Sequence, residues 1–471
     1  MQKPIEEFVR SLGLDAYVVG GAVRDELLDR DSKDTDFLVA GVDQDELLRR
    51  LAAHGKVEPL VVADRVVGVR LYPRDERIRS LAPAGIELAP PRIERSTGPG
   101  RHDFEIVADP SLSIEDDMRR RDFTINAIAR RLSDGELVDP LGGERDLREH
   151  VLRTVSPRSF EEDPLRLVRG LRFVSQLDLD PDEETLRQLH EHATRVRLVS
   201  GERIGGGLTA DGMGELSKLL LGTHPRKALR LARDTGVLVA VLPEFEPAIG
   251  FEQESRYHDQ TVDEHTFAVV QAAADAAMPL RVRLAALFHD LGKPRVAWRG
   301  DDGRLHYYAK PGRSAKGHAE VGAELAAGAL RRLRYPTALR TRVREIVRWH
   351  MLDPGAGDAR RARRLLARHG DELTLDLVDH RIADTSAKGG AAGDVSRLER
   401  FRALVEHERA SPHRLAELAV DGGDLIALGF EPGPELGAAL RALLDEVVAD
   451  PALNTRDELT RRARAILEHR A

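Results

Sequence analysis

Two stretches, Tyr17-Val18-Val19-Gly20-Gly21-Ala22-Val23-Arg24-Asp25 and Lys33-Asp34-Thr35-Asp36-Phe37-Leu38-Val39, decide how the N-terminal part of this chain folds. The first reads as strand, turn and helix. Its paired glycines, Gly20 and Gly21, let backbone N–H groups come close to a phosphate chain, and Arg24, one turn into the helix, can bind the same phosphates. A Gly-Gly turn alone also fits a plain strand-to-helix connection. The second stretch puts Asp34 and Asp36 two residues apart at a strand start, where period-two alternation turns both side chains to one face. Such a pair suits Mg²⁺, a hard cation usually held by one or two carboxylates plus substrate phosphates. Two such ions can activate a hydroxyl and stabilise a pyrophosphate leaving group. Taken alone, the pair also fits an acidic turn ahead of a strand.

Further β-type runs, Val66 to Tyr72, Gly85 to Leu88 and Phe104 to Val107, are bounded by Gly, Pro and Asp. Glu87 is an acid in an otherwise apolar strand, either a third carboxylate for the same site or an outward-facing surface acid. Arg119-Arg120-Arg121-Asp122-Phe123-Thr124-Ile125-Asn126-Ala127 reads as the opening of a helix, with groups suited to triphosphate and ribose. From about Asp163 the pattern turns helical. Leu165, Val168, Leu171 and Val174 share a face, and Thr266 to Ala277, Leu280 to Leu291, Ala319 to Arg334 and Leu436 to Ala449 show similar stripes or helix-favouring composition. The expected fold class is therefore α+β: a small mixed-sheet head followed by a long helical body. Loops at Pro243 to Tyr257, Trp298 to Gly317 and Asp353 to Gly357 mark boundaries or insertions.

Composition narrows the chemistry. A length of 471 residues suggests roughly three domains, and 32% charged with 41% hydrophobic residues is a globular balance. The absence of cysteine excludes disulfides, thiolate zinc sites and a cysteine nucleophile, leaving His and carboxylates as strong metal ligands. No apolar run is long enough to span a membrane, and charges interrupt the first residues where a signal peptide needs its apolar core; a cytoplasmic protein without membrane contact is expected. The net charge of −8 argues against non-specific coating of nucleic acid. Yet only nine of the 72 basic residues are lysine, so the positive charge is nearly all guanidinium. Arg331 to Gly370 holds 12 arginines against three acids, either a phosphate-facing stripe or a solvated helix surface.

Glu161-Glu162-Asp163-Pro164-Leu165-Arg166 starts a helix, with proline at its first position and acids at the positive dipole end. Arg166, Arg169 and Arg172 recur along one face. An N-capping Asp163 with a solvated arginine stripe is one reading. The other is chemical: ionised Asp only accepts hydrogen bonds and Arg only donates them. Cytosine and adenine present an amino donor beside a ring-nitrogen acceptor; guanine and uracil present the reverse. An Asp163/Arg166 pair therefore admits C and A without a nucleic-acid template. Farther on, His265, His289-Asp290 and Asp384 follow an H…HD…D order, with His318 and His350 as additional imidazoles. Neutral imidazole and carboxylate suit Zn²⁺, Mn²⁺, Fe²⁺ or Ni²⁺, any of which can activate water towards a phosphoester. A purely structural helical module is the alternative. His258, His306 and His413 read as ordinary surface histidines.

With GGAVRD, KDTDFLV, RRDFTINAIA, EEDPLRLVRGLRF and GERI in this order, followed by LAALFHDLGKP of an HD domain and the tail DGGDLIALGFEPGPELG, the sequence resembles the nucleotidyltransferase superfamily. Specifically, it is similar to the class II tRNA nucleotidyltransferases (CCA-adding enzymes) and the related bacterial poly(A) polymerases, over nearly the whole chain. The resemblance implies a nucleotidyltransferase head over 1–150, a nucleotide-selecting and RNA-binding helical neck over 151–250, an HD domain over 251–391 and a tRNA-binding tail over 392–471. It also implies Asp34 and Asp36 as Mg²⁺ ligands, nucleotide phosphates at Gly21, Arg24 and Arg121, and Asp122 near the ribose. Glu162, Asp163 and Arg166 become the protein template, with Arg169 and Arg172 as further nucleotide contacts. The implied partners are tRNA, ATP and CTP. Poly(A) polymerase, a partial CC- or A-adding enzyme, an HD phosphohydrolase and a non-catalytic RNA-binding protein are the rivals, and the sequence leaves the oligomeric state open. One departure is a Gly-rich insertion, Gly205 to Gly214, between Glu202-Arg203-Ile204 and Glu215-Leu216. The resemblance makes Arg92 to Asp109 a mobile loop.

Overall fold

The structure, a computed structural model, describes residues 2–31, 35–62, 65–96, 104–108, 110–206, 213–254, 260–310, 312, 315–355, 357–388 and 394–469. Asp34, His258, the centre of the Arg92 to Asp109 segment and residues 207–212 of the insertion lie outside the described residues. The chain forms two compact units, Met1–Pro243 and Glu244–Ala471.

The first unit is built on strands β1 (Ala16–Val19), β2 (Asp36–Val39), β3 (Gly55–Val62), β4 (Arg65–Pro73), β5 (Ile86–Ala89), β6 (Arg92–Ser96), β7 (Phe104–Ala108), β8 (Ala129–Arg131) and β9 (Leu137–Val138). Seven of them form one mixed sheet in the order β3-β4-β5-β2-β1-β8-β9, in which β2 and β5 run parallel and the other pairs antiparallel. Successive side chains of β1 alternate between two cores. Val18 packs with Val39, Val69 and Leu88 on one face, while Tyr17 and Val19 pack with Leu38, Met118 and Ala127 on the other. Burial on both faces explains why β1 reads as a continuous apolar run rather than as an alternation. Strands β6 and β7 pair as a separate antiparallel ribbon, so the segment expected as a loop carries regular structure at both its ends.

One expected element is absent. Helix Ile114–Arg119, started by a Ser113 capping box, ends at the first residue of the Arg119 to Ala127 stretch, in the rest of which only Thr124–Asn126 forms a short 3₁₀ turn. Phe123 is extended and fully buried, edge-on to Phe173 at 5.8 Å. The Thr124 N–H donates to Arg153 O at 2.9 Å and its hydroxyl to Asp146 at 2.7 Å. These long-range contacts outweigh local helix propensity. Helix Leu165–Leu177 follows as expected, with Leu165, Val168, Leu171 and Val174 all buried.

The second unit is helical, with a small strand pair at Trp298–Arg299 and Leu305–His306. Helices Val262–Asp275, Leu280–Phe288, His318–Arg332, Thr337–Trp349 and Asp371–Ser386 carry the HD residues. The C-terminal helices close a separate small core around Leu425, Leu443 and Leu459. His413, expected at the surface, is instead 1% exposed; its Nε2 lies 2.8 Å from Asp371 Oδ1, so a long-range hydrogen bond holds it inward. His306 is half-buried against Trp298, ring centroids 4.6 Å apart. No helix among the described residues is long and apolar enough to cross a membrane.

Candidate functional site

A cleft of about 970 Å³ in the first unit is lined by Gly20, Gly21, Arg24, Asp36, Glu87, Arg121, Asp122, Asp163, Arg166, Arg169 and Arg172. The structure thus brings together most of the described head and neck residues that the sequence singles out; Glu162 does not line the cleft but pairs with Arg166 at 3.3 Å. Eight arginines and one lysine face six carboxylates there, an excess suited to a polyanionic ligand. Asp36 opens β2 in register with Glu87 across the parallel β2–β5 pair, so the two acids sit side by side on the rim; Glu87 is ion-paired with Arg70. Gly20 has φ 67°, and a Cβ there would meet Arg121 Nη1 at 2.6 Å, so glycine lets the guanidinium close over the turn.

The arginines are positioned by one network. Arg24 Nη1 donates to Asn126 Oδ1 at 2.8 Å, and Asn126 Nδ2 donates to Asp122 Oδ1 at 3.0 Å. Asp122 Oδ2 lies 2.5 Å from Arg169 Nε. Burial by itself pushes the Asp122 carboxyl up, but Arg169, the Asn126 amide and Arg166 outweigh it and hold it at about 2. Asp117, fully buried, ion-pairs with both Arg120 at 2.8 Å and Arg121 at 3.2 Å. The Phe173 ring backs three cations, with Arg172, Arg24 and Arg169 at 4.2, 5.2 and 5.8 Å from its centroid. Burial pulls Arg172 down to about 10, opposed by Glu215 at 3.0 Å.

Asp163 does two things at once. Its Oδ1 accepts the Leu165 N–H at 3.0 Å, as a capping residue does, and its Oδ2 accepts from Arg203 Nη2 at 3.0 Å. Arg166 donates to Ser159 Oγ at 3.0 Å and to Arg120 O at 2.9 Å. Sequence reading misses the support Asp117, and it places Asn126, Phe173, Arg203 and Glu215 in motifs without giving them a supporting role. The last two flank the insertion, whose ends meet through a Gly214 N–H to Gly205 O bond of 2.8 Å. The split motif is therefore spatially whole, and Arg203 and Glu215 both reach the cleft's charged groups.

In the second unit, His265, His289, Asp290 and Asp384 come together with His318 and His350 around a pocket of about 350 Å³. The His289 ring bonds the Ala286 carbonyl through Nδ1 at 2.8 Å, and His350 bonds Val347 O at 2.7 Å. A carbonyl only accepts, so each Nδ1 carries a proton and each ring turns its Nε2 inward. Burial holds His350 well below the usual imidazole range, whereas at His289 burial is outweighed by the neighbouring Asp290, which shifts the ring upward. Asp290 Oδ2 lies 3.2 Å from His289 Nε2 and 3.9 Å from His265 Nε2, and Oδ1 lies 3.8 Å from both His318 and His350. His265 Nε2 is 3.0 Å from Asp384 Oδ1. His289 Nε2 is buried without a hydrogen-bond partner. An orphaned imidazole nitrogen in an all-His/Asp donor set fits a divalent transition metal. Burial raises the Asp290 carboxyl, but His289 and Lys293 outweigh it and hold it well below the usual range. His380, which the sequence reading passed over, is fully buried against His289 and His350, and burial pushes it down to about 3.

An arginine-lined cleft beside a small mixed sheet, with acids at the rim, defines a nucleotidyltransferase head, here on the same chain as an HD-type helical unit. Four families match in succession: the Poly A polymerase head domain at 16–153, the probable RNA and SrmB-binding site of polymerase A at 178–249, the HD domain at 262–388 and the putative tRNA nucleotidyltransferase domain 2 at 391–463. A multifunctional CCA protein of Nitrosococcus oceani is 36% identical over 347 residues, 72% of this chain and 75% of the relative. An A-adding tRNA nucleotidyltransferase of Deinococcus radiodurans is 36% identical over 447 residues, 91% of each chain. The chain belongs to the tRNA nucleotidyltransferase family, and it is an enzyme of that family. In fold it resembles the Bacillus stearothermophilus CCA-adding enzyme solved with CTP, at TM-score 0.68 and 24% identity over 99% of this chain and 97% of that one.

Proposed function

We propose that this chain builds or repairs the 3′-terminal CCA of tRNA, using CTP and ATP and no nucleic-acid template. The observation that carries this reading is the placement of Asp163 and Arg166 in the same cleft as the arginine network and the acidic rim. Arg24, Arg121 and Arg172 bind and orient the triphosphate, with the buried Asp122 at the ribose. Arg166 donates to the ring nitrogen of cytosine or adenine, and Asp163 accepts from the exocyclic amino group. Asp34 and Asp36, with Glu87 beside Asp36, hold Mg²⁺, which when bound lowers the pKa of the tRNA 3′-hydroxyl and stabilises the departing pyrophosphate. The tRNA is recognised through shape and backbone. Such substrates place the reaction in the cytoplasm.

A second reading, addition of the terminal A alone, is favoured by the Deinococcus match, which spans 91% of both chains under an A-adding name. One experiment separates the two. Transfer RNAs ending at the discriminator base, at C and at CC are incubated with each labelled nucleotide, and the 3′ ends are sequenced. Stepwise C, C and A is the expected result. Extension of the CC-ended tRNA only selects the A-adding reading, and no extension of any acceptor overturns both.

For the HD unit we infer a metal-dependent phosphohydrolase centre, on the observation that His289 and His350 have their Nδ1 tied to carbonyls and their Nε2 turned towards Asp290. His265, His289, Asp290 and Asp384 hold the ion, which when bound supplies an activated water. Lys293 donates to Asp290 Oδ2 at 2.7 Å and Arg381 to Asp384 Oδ2 at 2.8 Å, fixing both carboxylates.

A further inference from the structure

The arginine-rich run from Arg331 to Gly370 is not used by either site, and the structure sorts its members. Arg332 pairs with Glu244 at 2.8 Å, Arg342 with Asp376 at 3.5 Å and Arg344 with Glu345 at 2.8 Å. Arg363 is buried against Glu408 at 2.8 Å. No acidic partner among the described residues neutralises Arg348, Arg360, Arg364 or Arg368. Three of these stand at i, i+4 and i+8 on helix Ala359–His369, all exposed, while its other face buries Ala362, Leu365 and Leu366. At 1.5 Å rise per residue they repeat about every 6 Å along the helix, a step comparable to that between successive phosphates of a nucleic-acid strand. At the helix end Arg368 meets Arg348 of helix Thr337–Trp349 on the Trp349 ring, at 4.8 and 5.4 Å from its centroid. The next two residues, His350 and Met351, line the HD pocket.

We propose that the face formed by Arg360, Arg364 and Arg368, continued by Arg348 at Trp349, is a docking surface for an RNA phosphodiester backbone. The charge is unneutralised, regularly spaced and entirely guanidinium, the group whose fork matches phosphate. A lipid surface is a poorer fit, because both leucines of the helix, Leu365 and Leu366, are turned into the core and only alanine accompanies the arginines outward. The inference rests on tRNA being the substrate.

The full chain carrying R360Q, R364Q and R368Q is compared with wild type for tRNA binding across a salt series. Loss of three phosphate contacts lowers the slope of log K against log salt by about 2 to 3 and weakens binding about tenfold or more at moderate salt. A second triple variant, R187Q, R409Q and R461Q, removes arginines that already pair with Glu184, Glu406 and Glu458. It imposes the same change in net charge and should keep the wild-type slope. A folded R360Q/R364Q/R368Q protein with the wild-type slope overturns the proposal, as does an equal loss in the control. If the triple variant does not fold, R364E alone is read for the same change, about one unit of slope or more. Nucleotide addition by wild type is scored in parallel: its absence counts against the tRNA reading, whereas addition with an unchanged slope counts against this surface only.

Discussion

Both candidate centres are proposed to handle phosphate, yet they are built in opposite ways. In the head cleft, about 970 Å³ in volume, selectivity depends on side chains that hold other side chains: Asp117 under Arg120 and Arg121, Asn126 between Arg24 and Asp122, Arg203 on Asp163. In the HD pocket, about 350 Å³, backbone carbonyls of the helices fix the imidazoles directly. A site that must distinguish one base edge from another needs charged groups kept ionised and aimed, which a network of opposite charges achieves. A site that must hold a metal needs neutral lone pairs converging on a point, which rigid helices achieve with fewer partners. The two should therefore fail independently.

The strongest break of that comparison is at the cleft rim. Asp36→Ala should lower nucleotide addition by about a thousandfold or more, since it removes a carboxylate aimed at the ions that stabilise charge in phosphoryl transfer. Binding of tRNA should stay within a few-fold, and metal content of the HD unit should not change. Near-normal addition by this variant would falsify the rim assignment.

His289→Ala should abolish retention of a transition metal by the HD unit, read by elemental analysis of the purified protein. It should also cut hydrolysis of 2′,3′-cyclic nucleotides or simple phosphoesters by about a hundredfold or more, because even outer-shell losses cost 10- to 100-fold. Addition of C and A should be spared. If wild type retains no metal and hydrolyses none of these substrates with any divalent ion, the HD unit is structural and the comparison reduces to one active centre.

How much of this was legible depended on distance along the chain. The strand at β1 and the helix from Leu165 carry their periodicity locally, and the candidate metal ligands His289-Asp290 announce themselves as a dipeptide. Strand β3 was missed because Pro59 interrupts its pattern; it is tolerated there because β3 lies at the sheet edge. The Arg119 to Ala127 stretch was misread as a helix because the contacts that extend it come from Asp146, Arg153 and Phe173. Arg203 stands in the GERI motif, but its pairing with Asp163, 40 residues away, has no local signature. His380 had one: it precedes Asp384 by four residues on one helix, so both share a face.

The next effect is smaller and concerns base choice. Removing Asp163 or Arg166 leaves a base edge unpaired in a desolvated site, at about 1 to 3 kcal/mol, or roughly 5- to 150-fold. Asp163→Ala and Arg166→Ala should each lower kcat/KM for CTP and ATP and raise UTP or GTP use relative to them. Arg166→Ala also frees Arg120 O and Ser159 Oγ, so its thermal stability should fall as well. An unchanged CTP-to-UTP ratio in both folded variants would reject the template.

Those variants leave an ambiguity, because Asp163 is a helix cap as well as a candidate base reader. Capping uses Oδ1 and the Leu165 N–H, whereas Oδ2 is held by Arg203. Arg203→Ala separates the two roles, since it leaves the capping bond intact and releases the carboxylate from its second anchor. The loss is one charge-assisted hydrogen bond between half-buried partners, so the expected effect is about 1 kcal/mol, roughly fivefold in the CTP-to-UTP ratio of kcat/KM. The melting temperature should hardly move, because the cap persists. Arg203→Lys should recover part of the ratio through its ammonium, though without the fixed fork. If Arg203→Ala leaves the ratio at its wild-type value while Asp163→Ala changes it, Asp163 reads the base without help from Arg203, and the head's reliance on side chains holding side chains stops short of its selectivity.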